Sequence, residues 1–515
     1  MNRAAKFNRL VCTEAIRKDL RSSSVRAAGF TWAAGTADFI LRIGSTAILA
    51  RLILPQQFGL VMMVMAVTAI ADQFRDLGLS TVTVQRKEIS HQEVTNLFWI
   101  NLFAGVAIAL VICAVSPLIS AYYKEPRLTV ITCILASNFI FGGLMVQHQA
   151  LLARVLKLGH SATVRVLASV ISTVVAVLLA WKGFGYWALV WREVVRSLLL
   201  AAGMWFCFPW VPGLPSRKTD VRGLLGFGAH LSAANILACI SGGADRFLLG
   251  RFWGAGPVAM YRQAYQLLVM PIEQLISPVY QVTQPGLSML QAEATRYRRF
   301  YQKVLTVVCV ATMPLSLFVA VYSAEIIRIV LGRKWMEAAP LLMILSFDAF
   351  IKQAVGSSAF VLITRGHSKM YLGLSVLQNT ILILFMTVGV RWGATGVAVA
   401  DVATTWLLIA PRLYYSFKDS PVTIGTFFST IARPAVASIV MGIALMFLHQ
   451  TLPALGAPVV LLLAMLIGGL VFFSSWMLMP GGKAELVALV AGLRAALQKK
   501  KAGSTTTLEP VVVGG

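Results

Sequence analysis

The feature that most constrains the fold is a series of long apolar stretches separated by short polar turns. About fourteen stretches are present, and crossing ~30 Å of hydrocarbon takes about 20 helical residues. They begin near residues 29, 57, 95, 128, 158, 183, 224, 256, 303, 336, 369, 393, 429 and 456. With 58% hydrophobic and 13% charged residues, the chain is far more apolar than a soluble protein. The sequence therefore predicts an all-α polytopic membrane protein of about 14 transmembrane helices, with little chain left for a soluble domain.

Short motifs recur in the same order about 200 residues apart, which indicates an internal duplication. The pairs are Ile48-Leu49-Ala50-Arg51-Leu52 with Leu248-Leu249-Gly250-Arg251-Phe252, Gly159-His160-Ser161 with Gly366-His367-Ser368, and Trp181-Lys182-Gly183 with Arg391-Trp392-Gly393. About six spans in each half, an even number, predict a parallel repeat whose axis lies along the membrane normal. Two pseudo-symmetric lobes around a cavity are typical of carriers, so the repeat favours transport.

These patterns predict the organisation of the chain. Two pseudo-symmetric six-helix lobes are joined by a polar, proline-bearing linker, and two C-terminal spans have no counterpart in the repeat. A final amphipathic stretch, with leucines at helical spacing before Lys499-Lys500-Lys501, indicates a helix on the membrane surface. The predicted boundaries are 1–28 (basic segment), 29–209 (N-terminal lobe), 210–223 (linker), 224–417 (C-terminal lobe), 418–480 (two spans) and 481–515 (interfacial helix and disordered tail).

The basic residues predict the orientation of the chain. The formal net charge is +25, and the arginines and lysines before the first span should remain in the cytoplasm. Counting spans from there, both termini are cytoplasmic, and the excess charge indicates attraction to anionic lipid rather than to nucleic acid. The six cysteines are scattered without paired spacing, which predicts neither a disulfide framework nor a metal site.

Several short motifs in and near the spans form a recognisable set. They are Phe58-Gly59-Leu60, Asp76-Leu77-Gly78-Leu79-Ser80 leading into Gln85-Arg86, Ala244-Asp245-Arg246-Phe247-Leu248-Leu249-Gly250 leading into Tyr261-Arg262-Gln263-Ala264-Tyr265, and Pro285-Gly286-Leu287-Ser288. Together they resemble the oligosaccharide flippases of the polysaccharide transporter (Wzx-like) family. The resemblance covers about residues 25–420 and extends to a superfamily that includes multidrug extruders and the lipid II flippase.

The resemblance implies a fourteen-span protein of the bacterial inner membrane. Its cargo would be an undecaprenyl-diphosphate-linked oligosaccharide, turned over by alternating access for O-antigen, capsule or exopolysaccharide assembly. The implied partners are that lipid-linked glycan, the membrane lipids and other polysaccharide-assembly proteins.

Ionisable residues inside spans are the candidates for binding this cargo, because buried charge is costly in a membrane. Arg192 and Arg196 share one helix face and carry like charges, which favours a shared anion such as a diphosphate. Arg42 has Asp38 four residues away, so this pair is either structural or functional, as is Asp348 with Lys352. Arg246 is a further candidate. For each arginine, the alternative is an ion pair with an acid on a neighbouring helix.

Two carboxylates lack an evident partner on their own helix. Glu273, between Pro271 and Pro278, and Asp401 are therefore candidates for binding a coupling proton or sodium ion, and structural pairing with arginine is the alternative. Three further arginines lie near the predicted outer ends of their spans, and their long side chains are expected to extend to the membrane–water interface. They are Arg51, Arg251 and Arg262.

Three functions compete. The first is a lipid-linked oligosaccharide flippase; the second is a cation-coupled small-molecule exporter of the multidrug type; the third is a membrane glycan polymerase or ligase. Intramembrane arginines favour an anionic cargo, and short loops disfavour a polymerase. No phosphate loop, metal-ligand cluster or nucleophile elbow is present, so neither an enzyme nor a cofactor is predicted.

Overall fold

The computed structural model describes residues 7, 20–76, 79–86, 89–215, 239, 241–451, 456–483 and 486. Over these ranges the regular secondary structure is helical throughout. The α-helices are α1 (Leu20–Leu52), α2 (Pro55–Asp76), α3 (Leu79–Gln85), α4 (His91–Tyr123), α5 (Arg127–Arg154), α6 (Leu158–Trp181), α7 (Tyr186–Cys207), α8 (Ala244–Trp253), α9 (Ala255–Met289), α10 (Ala294–Val321), α11 (Ser323–Val330), α12 (Ala338–Gly356), α13 (Ser358–Thr364), α14 (Ser368–Gly389), α15 (Gly393–Phe417), α16 (Ile424–Thr451) and α17 (Ala457–Leu478).

The helices confirm the predicted fold class. Each predicted span coincides with a helix, apart from the one beginning near residue 224, which lies outside the described residues. Ten segments of the described ranges are long and apolar enough to cross a membrane, with α14 and α15 joined in one of them. Helix α7 is not among the ten, and it carries Arg192, Glu193 and Arg196. The count of fourteen is therefore approximate.

Contacts divide the chain into two compact units. The first comprises residues 1–278, 323–348 and 367–412, and the second comprises 279–322, 349–366 and 413–515. In the first unit α4 packs on α5, α6 on α7, and α1 on α6. In the second unit α16 packs against both α10 and α17. The two lobes were predicted from the sequence repeat, whereas these two units are defined by contacts. The units therefore do not test the lobe boundaries, which remain a prediction.

Small residues allow close helix contacts in the first unit. A Cβ on Gly143 would lie 2.7 Å from the Asn101 carbonyl oxygen, and one on Gly105 would lie 2.5 Å from the Phe139 carbonyl oxygen. Glycines at both sites therefore let α4 and α5 approach backbone to backbone, as is common between membrane helices.

Two of the three repeated motifs occupy equivalent local structures, whereas Gly159 lies inside α6 and Gly366 lies in the turn before α14. Residues 48–52 form the end of α1 and residues 248–252 lie at the end of α8, and each helix is followed closely by another. The turn before α7 has Gly183 at φ +83°, and the turn before α15 has Gly393 at φ +69°. Such a φ favours glycine, which explains why this residue recurs in the motif.

The predicted N-terminal basic segment, most of the linker, and the C-terminal interfacial helix with its tail lie largely outside the described residues.

Candidate functional site

A polar cavity of about 210 Å³ lies within the first unit, and three of the predicted arginines line it. Arg42 comes from α1, and Arg192 and Arg196 come from α7. Glu193 is the acidic residue that lines the same cavity. The remaining lining residues are Leu41, Ser45, Thr46, Phe58, Val61, Met62, Met65, Ser169, Ser172, Thr173, Leu189, Gln263, Gln266 and Met270. The charged groups of the lining are thus predominantly cationic.

The arginines of α7 share one wall because four residues turn an α-helix by slightly more than one revolution. Arg192 donates from Nη2 to the Ser45 hydroxyl at 3.2 Å. Its Nε is buried and has no hydrogen-bond partner among the described residues. Arg42, Arg196, Glu193 and Asp38 all contribute to the electrostatic environment of Arg192. The guanidinium is therefore only partly satisfied by the protein.

Asp38 and Arg42 do not form the ion pair that their spacing allows. Asp38 instead accepts a hydrogen bond from the Ser169 hydroxyl on α6 at 2.9 Å. Over the described ranges, no carboxylate lies within 4 Å of the Arg42, Arg192 or Arg196 guanidinium. Because Asp38 is held by α6, Arg42 remains exposed and extends the positive charge of the cavity.

The cavity residues lie at similar depths along their helices. At 1.5 Å per residue, Arg192 lies ~9 Å from the start of α7 and Arg196 ~15 Å from it. Arg42 lies ~15 Å before the end of α1, and Gln263 lies ~12 Å after the start of α9. These helix ends are all predicted to face outward, so the residues lie near the middle of a membrane ~30 Å thick. Carrier substrates commonly bind at this depth.

Helix α9 contributes the part of the wall that sequence reasoning missed. Gln263, Gln266 and Met270 lie on one face of this helix and line the cavity. One turn further on, Gln274 donates to the Thr36 hydroxyl of α1 at 3.3 Å, which ties the two helices together. The available signal was the spacing of the two glutamines, three residues apart within an apolar stretch.

A second cavity of about 200 Å³ adjoins the first through shared residues. Met65 and Glu193 line both, and Asp72 and Asn138 are polar residues found only in the second. Asp72 forms an ion pair with Arg75 at 2.8 Å. Glu193 thus lies between the arginine-lined cavity and a more acidic one.

The corner between α1 and α2, next to the first cavity, is closely packed. A Cβ on Gly59 of α2 would lie 1.7 Å from the Ala255 carbonyl oxygen at the start of α9. Phe58, which lines the cavity, contacts the Trp335 ring at a centroid distance of 5.2 Å. Trp335 donates from Nε1 to the Ala50 carbonyl at 2.9 Å. The corner between α1 and α2 is therefore tied to two later segments of the chain.

The structure places Arg246 in a different cluster from the other predicted arginines. It lies 3.7 Å from Asp245, which also accepts a hydrogen bond from Arg262 at 3.4 Å. The interpretation of Arg262 as an interfacial residue was wrong, because this side chain pairs with Asp245 and lies over the Tyr265 ring. Arg246 does not line the arginine-rich cavity.

The two candidate coupling carboxylates differ in environment. Glu273 is exposed on α9, one turn beyond Met270, and has neither an ion pair nor a hydrogen bond over the described ranges. Asp401 is 6% exposed on α15 and interacts electrostatically with Tyr261. Asp401 therefore has close neighbours, although the sequence of its own helix offers no partner. Glu273 lies one turn beyond the cavity-lining residues of α9.

Known proteins share this architecture and sequence. The chain is 26% identical to the lipopolysaccharide biosynthesis protein WzxC of Escherichia coli (strain K12), over 81% of this chain and 87% of that protein. It is 24% identical to the teichuronic acid biosynthesis protein TuaB of Bacillus subtilis (strain 168), over 73% and 78% of the two chains. The lipid II flippase MurJ, in an inward closed conformation, superposes with a TM-score of 0.70 at 13% identity, over 86% of this chain and 97% of MurJ.

The family model described as polysaccharide biosynthesis protein matches residues 48–340. This match spans more than half of the chain and contains Arg192, Arg196 and all of the α9 residues that line the cavity. The chain therefore belongs to the polysaccharide biosynthesis protein family.

Proposed function

We propose that the protein is a flippase that translocates an undecaprenyl-diphosphate-linked oligosaccharide across the bacterial inner membrane by alternating access. The observation that carries the proposal is the convergence of Arg42, Arg192 and Arg196 on one cavity, where no carboxylate of the described residues lies within 4 Å of their guanidinium groups. Positive charges of this kind inside a membrane protein need an anion, and a diphosphate offers oxygens for several guanidinium groups. The family and the flippase-like fold support the same function.

The proposed role of the protein is transport without chemistry on the glycan. It delivers the glycan for O-antigen, capsule or exopolysaccharide assembly and works beside other polysaccharide-assembly proteins. Relatives that share more than two thirds of the chain are named as biosynthesis proteins for lipopolysaccharide and teichuronic acid. The cationic lining disfavours the cationic drugs of a multidrug-type exporter, because like charges in a low-dielectric site repel strongly.

The packing around the α1–α2 corner supports a mode of alternation. In this proposal, the contact of Gly59 with Ala255 and the hydrogen bond of Trp335 at the α1–α2 corner seal the arginines from the outer side. Release of the glycan then requires these contacts to separate. The diphosphate would offset the repulsion among the arginines during this movement.

The test is export by an Arg192→Gln, Arg196→Gln double variant. We expect export to be lost while the protein stays inserted and abundant, because glutamine keeps a polar side chain but removes the charge. Lysine at both positions should restore export only in part, since it keeps the charge and loses the planar fork. The measurement is surface glycan in a strain lacking the native transporter, normalised to protein abundance.

The matched control is Arg296→Gln, on α10, where the arginine is exposed and pairs with Glu293 three residues before it. This change removes an arginine from the exposed start of a helix rather than from the cavity, so export should be normal. Normal export by the well-expressed double variant would refute the diphosphate role of α7. Equal loss of abundance and export would show that both arginines are structural.

A further inference from the structure

The cavity contains a buried acceptor that the arginines do not explain. Gln263 is 2% exposed and lines the cavity from α9. Its Oε1 has no hydrogen-bond donor over the described ranges, although nearly all buried polar atoms in proteins have a partner. A neutral amide also cannot balance the charge of Arg42, Arg192 or Arg196. The residue is therefore suited to a donor group supplied from within the cavity.

Other residues that line the cavity have hydrogen-bonding groups that complement the Gln263 oxygen. The α7 wall offers the unsatisfied Arg192 Nε–H as a donor, and the α9 wall offers the unsatisfied Gln263 oxygen as an acceptor. Gln266, one turn along α9, lines the same cavity and carries both donors and an acceptor. A ligand that matches both walls needs an anionic part and an adjacent part bearing hydroxyl or amide N–H groups.

We propose that Gln263 recognises the sugar attached directly to the diphosphate, with its amide oxygen accepting a hydrogen bond from a hydroxyl or acetamido N–H of that sugar. This inference rests on the proposed flippase function and divides the cavity into two parts. The arginines hold the diphosphate, which all lipid-linked cargoes share. The α9 face recognises the first sugar, which differs among them.

The physical argument for specificity comes from the cost of leaving a buried polar group unpaired. A site built to bond a hydroxyl disfavours a ligand that lacks it, because the site's own polar atom then loses its only partner. Gln263 should thus favour a sugar-bearing carrier over the bare diphosphate. The effect of one neutral hydrogen bond is roughly a two- to tenfold change in affinity.

The test compares two kinds of probe on the full-length protein in nanodiscs. One is undecaprenyl diphosphate; the other is undecaprenyl diphosphate carrying a single glucose, galactose or N-acetylglucosamine. Wild-type protein should bind at least one sugar-bearing probe more tightly than the bare carrier. Gln263→Met, which keeps the approximate length and removes the acceptor, should abolish that preference and leave affinity for the bare carrier within about twofold.

Gln274→Met is the matched control, because this glutamine lies on the same helix, bonds Thr36 and does not line the cavity. It should retain the preference for the sugar-bearing probe. The inference is overturned if wild-type protein binds all four probes equally, or if Gln263→Met keeps the preference. Equal weakening of all probes by Gln263→Met would also overturn it, since that result indicates a structural role.

Arginine variants separate this inference from the proposed function. Arg192→Gln should weaken binding of the bare and the sugar-bearing carriers alike, because both contain the diphosphate. If Arg192→Gln, Arg196→Gln leaves all affinities unchanged, the diphosphate site fails. If Gln263→Met still abolishes the preference for the sugar-bearing probe, the α9 face recognises the sugar independently of those arginines.

Discussion

The chemistry of single residues identified Arg42, Arg192 and Arg196 as candidates for binding. It did not show that they lie together. Charge within apolar stretches was enough to predict these three residues, because such charge is costly unless it has a purpose. Their meeting in one cavity depends on how α1 and α7 pack, and no local pattern encodes that. The partner of Asp38 was likewise hidden, since Ser169 lies 131 positions away in the chain.

Gln263 was not singled out from the sequence for a related reason. Amide side chains are neutral, so they give a weaker signal in an apolar stretch than arginine does. Only the structure shows that this one is buried, lines the cavity and has an unpartnered oxygen. Arg246 provides a contrast, because the structure places it beside Asp245 and not in the lining of this cavity, and its role in binding stays a prediction.

At the residue scale, we also expect Glu273 to affect ion coupling more than Asp401 does. Glu273 is exposed and lies one turn beyond Met270, which lines the cavity from α9, so we expect an ion to reach it. Asp401 is buried beside Tyr261. Glu273→Gln should weaken the dependence of transport on a proton or sodium gradient, measured in reconstituted vesicles. Asp401→Asn should mainly lower abundance. Unchanged gradient dependence in both variants would exclude a coupling role for either carboxylate.

At the element scale, helix starts and turns were predictable because they depend on local chemistry. The repeated turns need a glycine at positive φ, and Ser90 with Glu93 forms a capping box at the start of α4. Close contacts between helices were less predictable. Nothing local distinguishes Gly59, which touches Ala255, from Gly44, whose Cβ position has no atom within 4 Å.

Gly59 therefore provides a prediction about the outer closure. In Gly59→Ala the added methyl group cannot coexist with the Ala255 carbonyl, so α2 and α9 must separate. We expect the cavity to open outward more often. A cysteine at Thr46, introduced into a variant lacking the native cysteines, should react several-fold faster with a membrane-impermeant maleimide added from outside.

Gly44→Ala is the control for this experiment, because the same substitution in α1 meets open space. Its labelling rate should match that of the parent. If Gly59→Ala inserts normally and elutes as the parent does, yet its cysteine reacts no faster, the contact with Ala255 does not close the outer side.

At the scale of the whole molecule, the orientation follows from where basic residues fall between helices. Arg86, Arg154 and Lys157 lie in turns predicted to face the cytoplasm, in agreement with the positive-inside rule. Two basic residues near turns that are predicted to face outward have specific partners. Lys334 donates to the Arg51 carbonyl at the end of α1, and Arg127 pairs with Glu125 at 2.7 Å. These contacts explain how basic residues are accommodated on the side where the rule expects few.

This orientation predicts that both termini are cytoplasmic and that the number of spans is even. Fluorescent protein fused to the N-terminus or after Lys501 should fluoresce, because that reporter folds in the cytoplasm. Alkaline phosphatase inserted at Gly254 should be active, since the turn between α8 and α9 is predicted to face outward. An active phosphatase after Lys501, together with a fluorescent N-terminus, would require an odd number of spans. Such a result would place the C-terminal basic residues outside, against the charge bias that orients the rest of the chain.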